Sequence, residues 1–250
     1  MSSHGLAQMA ALLVLLGLAS ALPLQSQNAP RPLDDAEAGR WLGVGVLYVN
    51  GRNVCSAELI SATEATTAAH CVYDRKAQIH TPTADMQLVF GQRNGSRAAV
   101  RGVRAVAVLP GFTAPGPRSA LDTIPSDIAL LVLDAPVTAR EAKPFRLIDW
   151  PQPTGSSVEI VGYEHRMPYH PVIRQGCLVT DSGMTGVALA ACDVVGGLSG
   201  APVVLSLIMD APPYLVAEVS SHAMTATGRG LTYAVSIAPN LANLRALVSR

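Results

Sequence analysis

The chain has 250 residues, 18 basic and 18 acidic side chains and a formal net charge of zero. A neutral chain without a long basic run offers no general attraction to phosphate backbones, so its composition argues against nucleic-acid binding. Its length suits one large domain or two smaller ones sharing an interface. Hydrophobic residues make up 49% of it but aromatic ones only 4%, which points to a β-rich core of small aliphatic side chains.

Residues 9–19 form an uncharged apolar run followed by Ala19-Ser20-Ala21, a small-x-small sequence. This is the pattern of a signal peptide over residues 1–21, although no Lys or Arg precedes the run. A bilayer span needs about 20 apolar residues. The run is therefore expected to direct export, to a secreted or periplasmic location, and not to form a stable membrane anchor. Residues 22–40, whose first part is rich in Pro, Gln and Asp, are expected to be a leader or propeptide.

Beyond residue 40, short apolar segments alternate with turn residues. In the first half the strands are predicted at 42–49, 55–60, 86–90, 98–108 and 128–134. Asn50-Gly51 between the first two is a two-residue hairpin signal. Residues 135–156, with Pro136, Pro144, Pro151, Pro153 and Gly155, read as a crossing between two halves. The second half predicts strands at 158–162, 177–180, 187–192, 202–207, 214–220 and 231–235. Ile237, Leu241, Leu244 and Val248 then recur at helical spacing with Pro239 in a first turn, which predicts a closing helix over 238–249.

Three chemical groups stand in this pattern in the order His, Asp, Ser. His70 lies in Thr67-Ala68-Ala69-His70-Cys71, Asp127 in Ser126-Asp127-Ile128-Ala129, and Ser199 in Gly196-Gly197-Leu198-Ser199-Gly200-Ala201-Pro202. A serine hydroxyl becomes a useful nucleophile when a base takes its proton, and a carboxylate can hold an imidazole in the tautomer that does so. Alone, each residue has a plain reading: a turn serine, a core histidine, a capping aspartate. The ordered trio, with Cys55 upstream and Cys71 directly after His70, singles out nucleophilic catalysis. Asp181-Ser182-Gly183 is a weaker candidate loop because no Pro follows it. Gly197-x-Ser199-x-Ala201 lacks the closing glycine of a hydrolase nucleophile elbow.

The order of the trio and its flanks resemble the chymotrypsin-like (trypsin-fold) serine proteases, from about residue 43 to the C-terminal helix. The resemblance implies an all-β fold of two six-stranded antiparallel β-barrels, one over about 41–140 and one over about 150–236, with the site in the cleft between them. It implies a serine endopeptidase acting on proteins or peptides through an acyl-enzyme, without cofactor or metal. His70 would be the base, Asp127 its orienting acid and Ser199 the nucleophile, with the backbone N–H groups of Gly197 and Ser199 as the oxyanion hole. Leu198 replaces an aspartate found in the animal enzymes. That is closer to the bacterial secreted, glutamyl endopeptidase-like branch, and it argues against activation through a buried N-terminal amine. Asp193, six residues before Ser199, and Ser220 and His222, at and just beyond the end of the expected cleft strand, are candidate substrate-binding residues; Asp193 also has a structural reading and His222 a surface one. A catalytically silent binding module and an esterase or other acyl hydrolase using the same triad are the alternatives.

Four cysteines allow three connectivities. The preferred one joins Cys55 to Cys71 and Cys177 to Cys192, sixteen and fifteen residues apart, each closing a short loop beside a candidate catalytic residue. Zinc is the rival reading, but no C-x-x-C pair supports it.

Overall fold

The computed structural model describes residues 30–74, 79–113, 121–149, 152–180, 187–190, 192–205, 213–224 and 230–249. The expected signal peptide and the Asp181-Ser182-Gly183 sequence lie outside the described residues.

The first described elements are β1 (Arg31–Pro32) and α1 (Asp35–Ala38), whose N-cap Asp34 accepts a hydrogen bond from the Glu37 N–H at 2.9 Å. Part of the expected leader packs against the second half. Arg31 and Pro32 pair with Ile173 and Val172 of the second half, and the Leu33 N–H donates to the Pro171 carbonyl at 3.0 Å. Leu33 is 1% exposed. The apolar anchor, the Arg31 bond to Gln175 Oε1 at 3.2 Å and the Arg93 bond to the Asp34 carbonyl at 2.7 Å dock residues 31–40 on the domain, while the two-pronged Arg31–Glu37 ion pair, at 2.7 Å on each prong, braces the segment itself.

Barrel one follows. β2 (Val44–Val49), β3 (Arg52–Ser61) and β4 (Glu64–Thr67) are succeeded by a small two-stranded sheet of β5 (Tyr73–Asp74) and β6 (Ile79–His80), and then by β7 (Met86–Phe90), β8 (Ala99–Val108) and β9 (Ala129–Leu133). The six longer strands close antiparallel in the order β2-β3-β4-β9-β8-β7. Asn50 and Gly51 both have positive φ, 51° and 73°, the demand of the tight turn joining β2 to β3. Alternating residues such as Leu47, Leu59, Leu88, Phe90 and Leu131 fill the barrel.

The second half contains β10 (Arg146–Leu147), β11 (Ser157–Glu164), β12 (Met167–Thr180), β13 (Val187–Ala190), β14 (Pro202–Leu205), β15 (Tyr214–Met224) and β16 (Gly230–Ser236). Its path is β1-β12-β11-β14-β15-β16-β13, and β13 also pairs with β12, so six antiparallel strands return on themselves. The expected six-stranded barrel is thus extended by β1 and by β10, which adds to β15 in parallel. β12 is much longer than the predicted strand at 177–180; Pro168, Pro171 and Gly176 mask it in the sequence because such residues normally interrupt a strand.

The final helix α2 (Ala238–Val248) buries Leu241 and Leu244 and carries Pro239 in its first turn. It packs back on barrel one against β8 and β9. Arg245 fixes it there, binding the Glu64 carboxylate at 3.0 and 2.7 Å. Between the halves lies a shared core that includes Trp41, Val46, Leu130, Tyr163, Leu215 and Leu244. Disulfides join Cys55 to Cys71 and Cys177 to Cys192. Among the described residues no helix is long and apolar enough to cross a membrane.

Candidate active site

Strand register brings the first two groups together. β4 pairs with β9 so that Thr67 lies opposite Ala129, placing His70 just past the end of one strand and Asp127 just before the start of the other. The chain turns at Ala69–Val72, where the Cys71–Cys55 disulfide ties the turn to β3. A second turn, Leu121–Ser126, delivers Asp127, whose N–H donates to the Ile124 carbonyl at 3.0 Å.

Asp127 is only 6% exposed and is held on three sides. Its Oδ2 lies 2.8 Å from His70 Nδ1 and accepts the Ser220 hydroxyl at 2.6 Å, while Oδ1 accepts the His70 backbone N–H at 2.9 Å. Two of these three donors come from one residue, so the imidazole and the carboxylate are fixed as a unit. Ser220, expected among the substrate-binding residues, lines the cleft, and its hydroxyl is bound to Asp127.

Ser199 comes from the second half, in the loop before β14. Gly197 and Gly200 both take left-handed conformations, with φ 99° and 71°. A side chain on Gly197 would meet the Tyr163 carbonyl and the His165 nitrogen; one on Gly200 would meet Thr67 Oγ1 and the Ser56 carbonyl. The loop is clamped by barrel one. The Ser56 N–H donates to the Ser199 carbonyl at 2.9 Å, and its hydroxyl donates to the Gly197 carbonyl at 2.9 Å while accepting the Tyr163 N–H. Thr67 Oγ1 donates to the Ser56 carbonyl at 2.7 Å. From its own half, the Gly200 N–H donates to the Val219 carbonyl at 2.7 Å.

The halves meet at a cavity of about 180 Å³ lined by His70, Asp127, Ser199, Ser220 and, at its rim, the exposed His222. Asp193 is exposed and does not line it; its carboxylate occupies the space above Gly230. A larger hollow of about 740 Å³, lined by Tyr48, Gln92, Asp134 and Tyr169 among others, contains no serine–histidine–acid set, so volume alone does not locate the site. Cys55, His70 and Cys71 also cluster, but both sulfurs are in the disulfide and the group offers a metal a single imidazole.

Sequence reading missed the clamps Ser56 and Thr67. It also missed two carboxyl groups behind Asp127, Glu58 and Glu218, both fully buried. Burial pushes both above the ordinary carboxyl range, Glu58 to about 8 and Glu218 well up, the latter also through its proximity to Glu58 and Asp127. The one available signal was polar residues at alternate positions of otherwise apolar strands.

An all-β pair of sheets with a paired histidine and aspartate and a serine in the intervening cleft is the architecture of the serine-protease class. The Trypsin family model matches residues 33–180, more than half of the chain, and the protein belongs to the trypsin family. His70 and Asp127 lie inside the match; Ser199 lies beyond it. The match begins within residues 31–40, the docked segment.

Proposed function

We propose that the protein is an exported serine endopeptidase that works through Ser199, His70 and Asp127. The observation that carries this reading is the 2.8 Å bond between His70 Nδ1 and Asp127 Oδ2, in the same cleft as Ser199. With Nδ1 committed to the carboxylate, Nε2 is the nitrogen left to act as base. Ser199 Oγ attacks the scissile carbonyl as its proton passes to His70. The C–N bond then breaks and His70 returns that proton to the leaving amine. Water, deprotonated by His70, hydrolyses the acyl-enzyme in the same way.

The negative oxygen formed at each attack is assigned to the N–H groups of Gly197 and Ser199. The Gly196 carbonyl is held by the His165 N–H at 3.0 Å, and a planar trans peptide directs the Gly197 N–H to the opposite side. This supports Gly197 as a donor.

Leu198 is fully buried with Val203, Ala201 and Val219 in the second half's apolar core and contacts the backbone at Gly162. No carboxylate stands there to capture an N-terminal amine, which supports the bacterial-type, glutamyl endopeptidase-like branch. We assign Asp193 a structural part, because it lies outside the cleft lining and acts electrostatically on the buried Arg174. His222 is the rim residue we assign to substrate contact. All four cysteines are paired, in keeping with an oxidising compartment outside the cytosol.

Fluorophosphonate labelling with mapping of the modified residue, followed by cleavage profiling on a peptide library, tests the reading. The expected result is a label on Ser199 and peptide cleavage, both lost in Ser199→Ala. Labelling without peptide cleavage would indicate an acyl hydrolase; no label on folded, disulfide-bonded protein would indicate a binding module.

A further inference from the structure

The triad leaves unused the two acidic side chains buried between the halves. Ala57 and Leu59 point into barrel one, so alternation along β3 turns Ser56 and Glu58 toward the second half. Glu218 approaches from β15, two residues before the Ser220 that binds Asp127. Glu58 Oε1 lies 2.5 Å from the hydroxyl of Thr66, its cross-strand neighbour on β4. Thr66 in turn pairs with Leu130 of β9, the strand that Asp127 introduces. One acid is thus bonded to the strand beside β9, and the other lies two residues from the serine that holds Asp127.

Glu58 and Glu218 lie within hydrogen-bonding reach of one another. Among the described residues Glu58 Oε2 and both oxygens of Glu218 lack a well-formed hydrogen bond, although the Thr66 hydroxyl stands beside both acids, and none of the ion pairs involves them. The charged groups facing Glu218 are Glu58 and Asp127, both acidic; Glu58 faces Glu218, and the neutral Thr66 stands beside both. Two carboxylates so placed would repel in a dry interior, whereas a protonated carboxyl supplies the missing donor.

We propose that Glu58 and Glu218 form a proton-holding carboxyl pair that positions Asp127: neutral, it joins the two halves behind Asp127 and leaves that residue the only negative charge at this point, and its ionisation sets an alkaline limit on activity. This rests on the triad reading above. The raised positions of both acids agree with a pair that keeps its protons at neutrality. Glu218 is thus a positioning residue, acting through Ser220 and through charge.

The test compares wild type with Glu58→Gln/Glu218→Gln in the full chain. The pH profiles of kcat and KM for peptide cleavage and of the fluorophosphonate labelling rate are measured, together with the infrared band of protonated carboxyl groups. The expected wild-type profile is a reversible fall in kcat beyond about pH 8, approaching about tenfold per pH unit, with KM little changed. The double amide has no proton to lose, so its normalised profile lacks this fall, and the infrared band weakens relative to wild type. Superimposable alkaline limbs would overturn the proposal. So would a neutral-pH wild-type spectrum with no band removable by the two substitutions. If the double variant does not fold, Glu218→Gln alone serves: its alkaline limb is expected to move, and an unmoved limb overturns the proposal. Failure of Ser199 to label overturns the protease reading; the infrared band then still decides whether the pair holds its proton.

Discussion

Gly197→Ala is the substitution whose cost the structure lets one work out furthest. Gly197 has φ 99°, a left-handed conformation that costs an L-residue roughly 1–3 kcal/mol. The new Cβ would meet the Tyr163 carbonyl oxygen, the His165 nitrogen at 2.7 Å and the Glu164 carbonyl carbon at 3.0 Å. All three are backbone atoms, so no side chain can swing aside, and moving the main chain adds about 1–3 kcal/mol. At about 2–4 °C per kcal/mol for a chain of this size, Tm should fall by on the order of 10 °C. Displacing the Gly197 N–H removes one oxyanion donor, worth about 3 kcal/mol or roughly a hundredfold in kcat. Peptide kinetics and calorimetry on the purified variant measure both. Wild-type kcat and Tm together would refute the reasoning; a stability loss with unchanged kcat would show that Gly197 shapes the loop without binding the oxyanion.

Ser220→Ala removes a 2.6 Å hydrogen bond to a carboxylate, about 1.5–3 kcal/mol, and should lower kcat/KM about 10- to 100-fold with an unchanged circular dichroism spectrum; wild-type kinetics would contradict the role given to it. Leu33→Ala, at a side chain 1% exposed in the shared core, should cost about 2–5 kcal/mol in denaturant unfolding. A truncation that starts at residue 30 should keep that stability and one that starts at residue 41 should lose it; equal stability would return residues 31–40 to the status of a dispensable leader. Stability should also depend on pH through Glu58. Its carboxyl is raised in the folded state, so the stability it contributes is complete below the ordinary range near 4.5 and is lost as pH rises toward about 8. The shift corresponds to on the order of 5 kcal/mol, seen as a Tm that declines across that window and declines less in Glu58→Gln/Glu218→Gln.

Much of the site is written locally, which is why it is legible in the chain. His70 beside Cys71, Asp127 ahead of an apolar strand and Ser199 among glycines each sit in a distinctive short context, and the register of β4 with β9 does the rest. Ser56 and Glu58 were hidden for the opposite reason. In sequence they read as the solvent side of β3, since alternation marks a face but not what covers it. Only the docking of the second half makes that face an interior, turning Ser56 into a clamp on the nucleophile loop and Glu58 into a buried acid. The extent of β12 was obscured by its prolines. The docked segment at 31–40 was obscured because its partner strand lies more than a hundred residues downstream, a pairing no local pattern reports. Asp193 shows the converse: spacing from Ser199 left a pocket role and a structural role both open, and only the folded chain shows its carboxylate over Gly230, outside the cleft lining.

The central claim is that the His70–Asp127 pair activates Ser199. Mass-spectrometric mapping of the fluorophosphonate adduct tests it most directly, on wild type, Ser199→Ala and His70→Ala. A single adduct on Ser199, absent from the first variant and strongly slowed in the second, is the predicted result. An adduct on another residue, or equal labelling without His70, would contradict it.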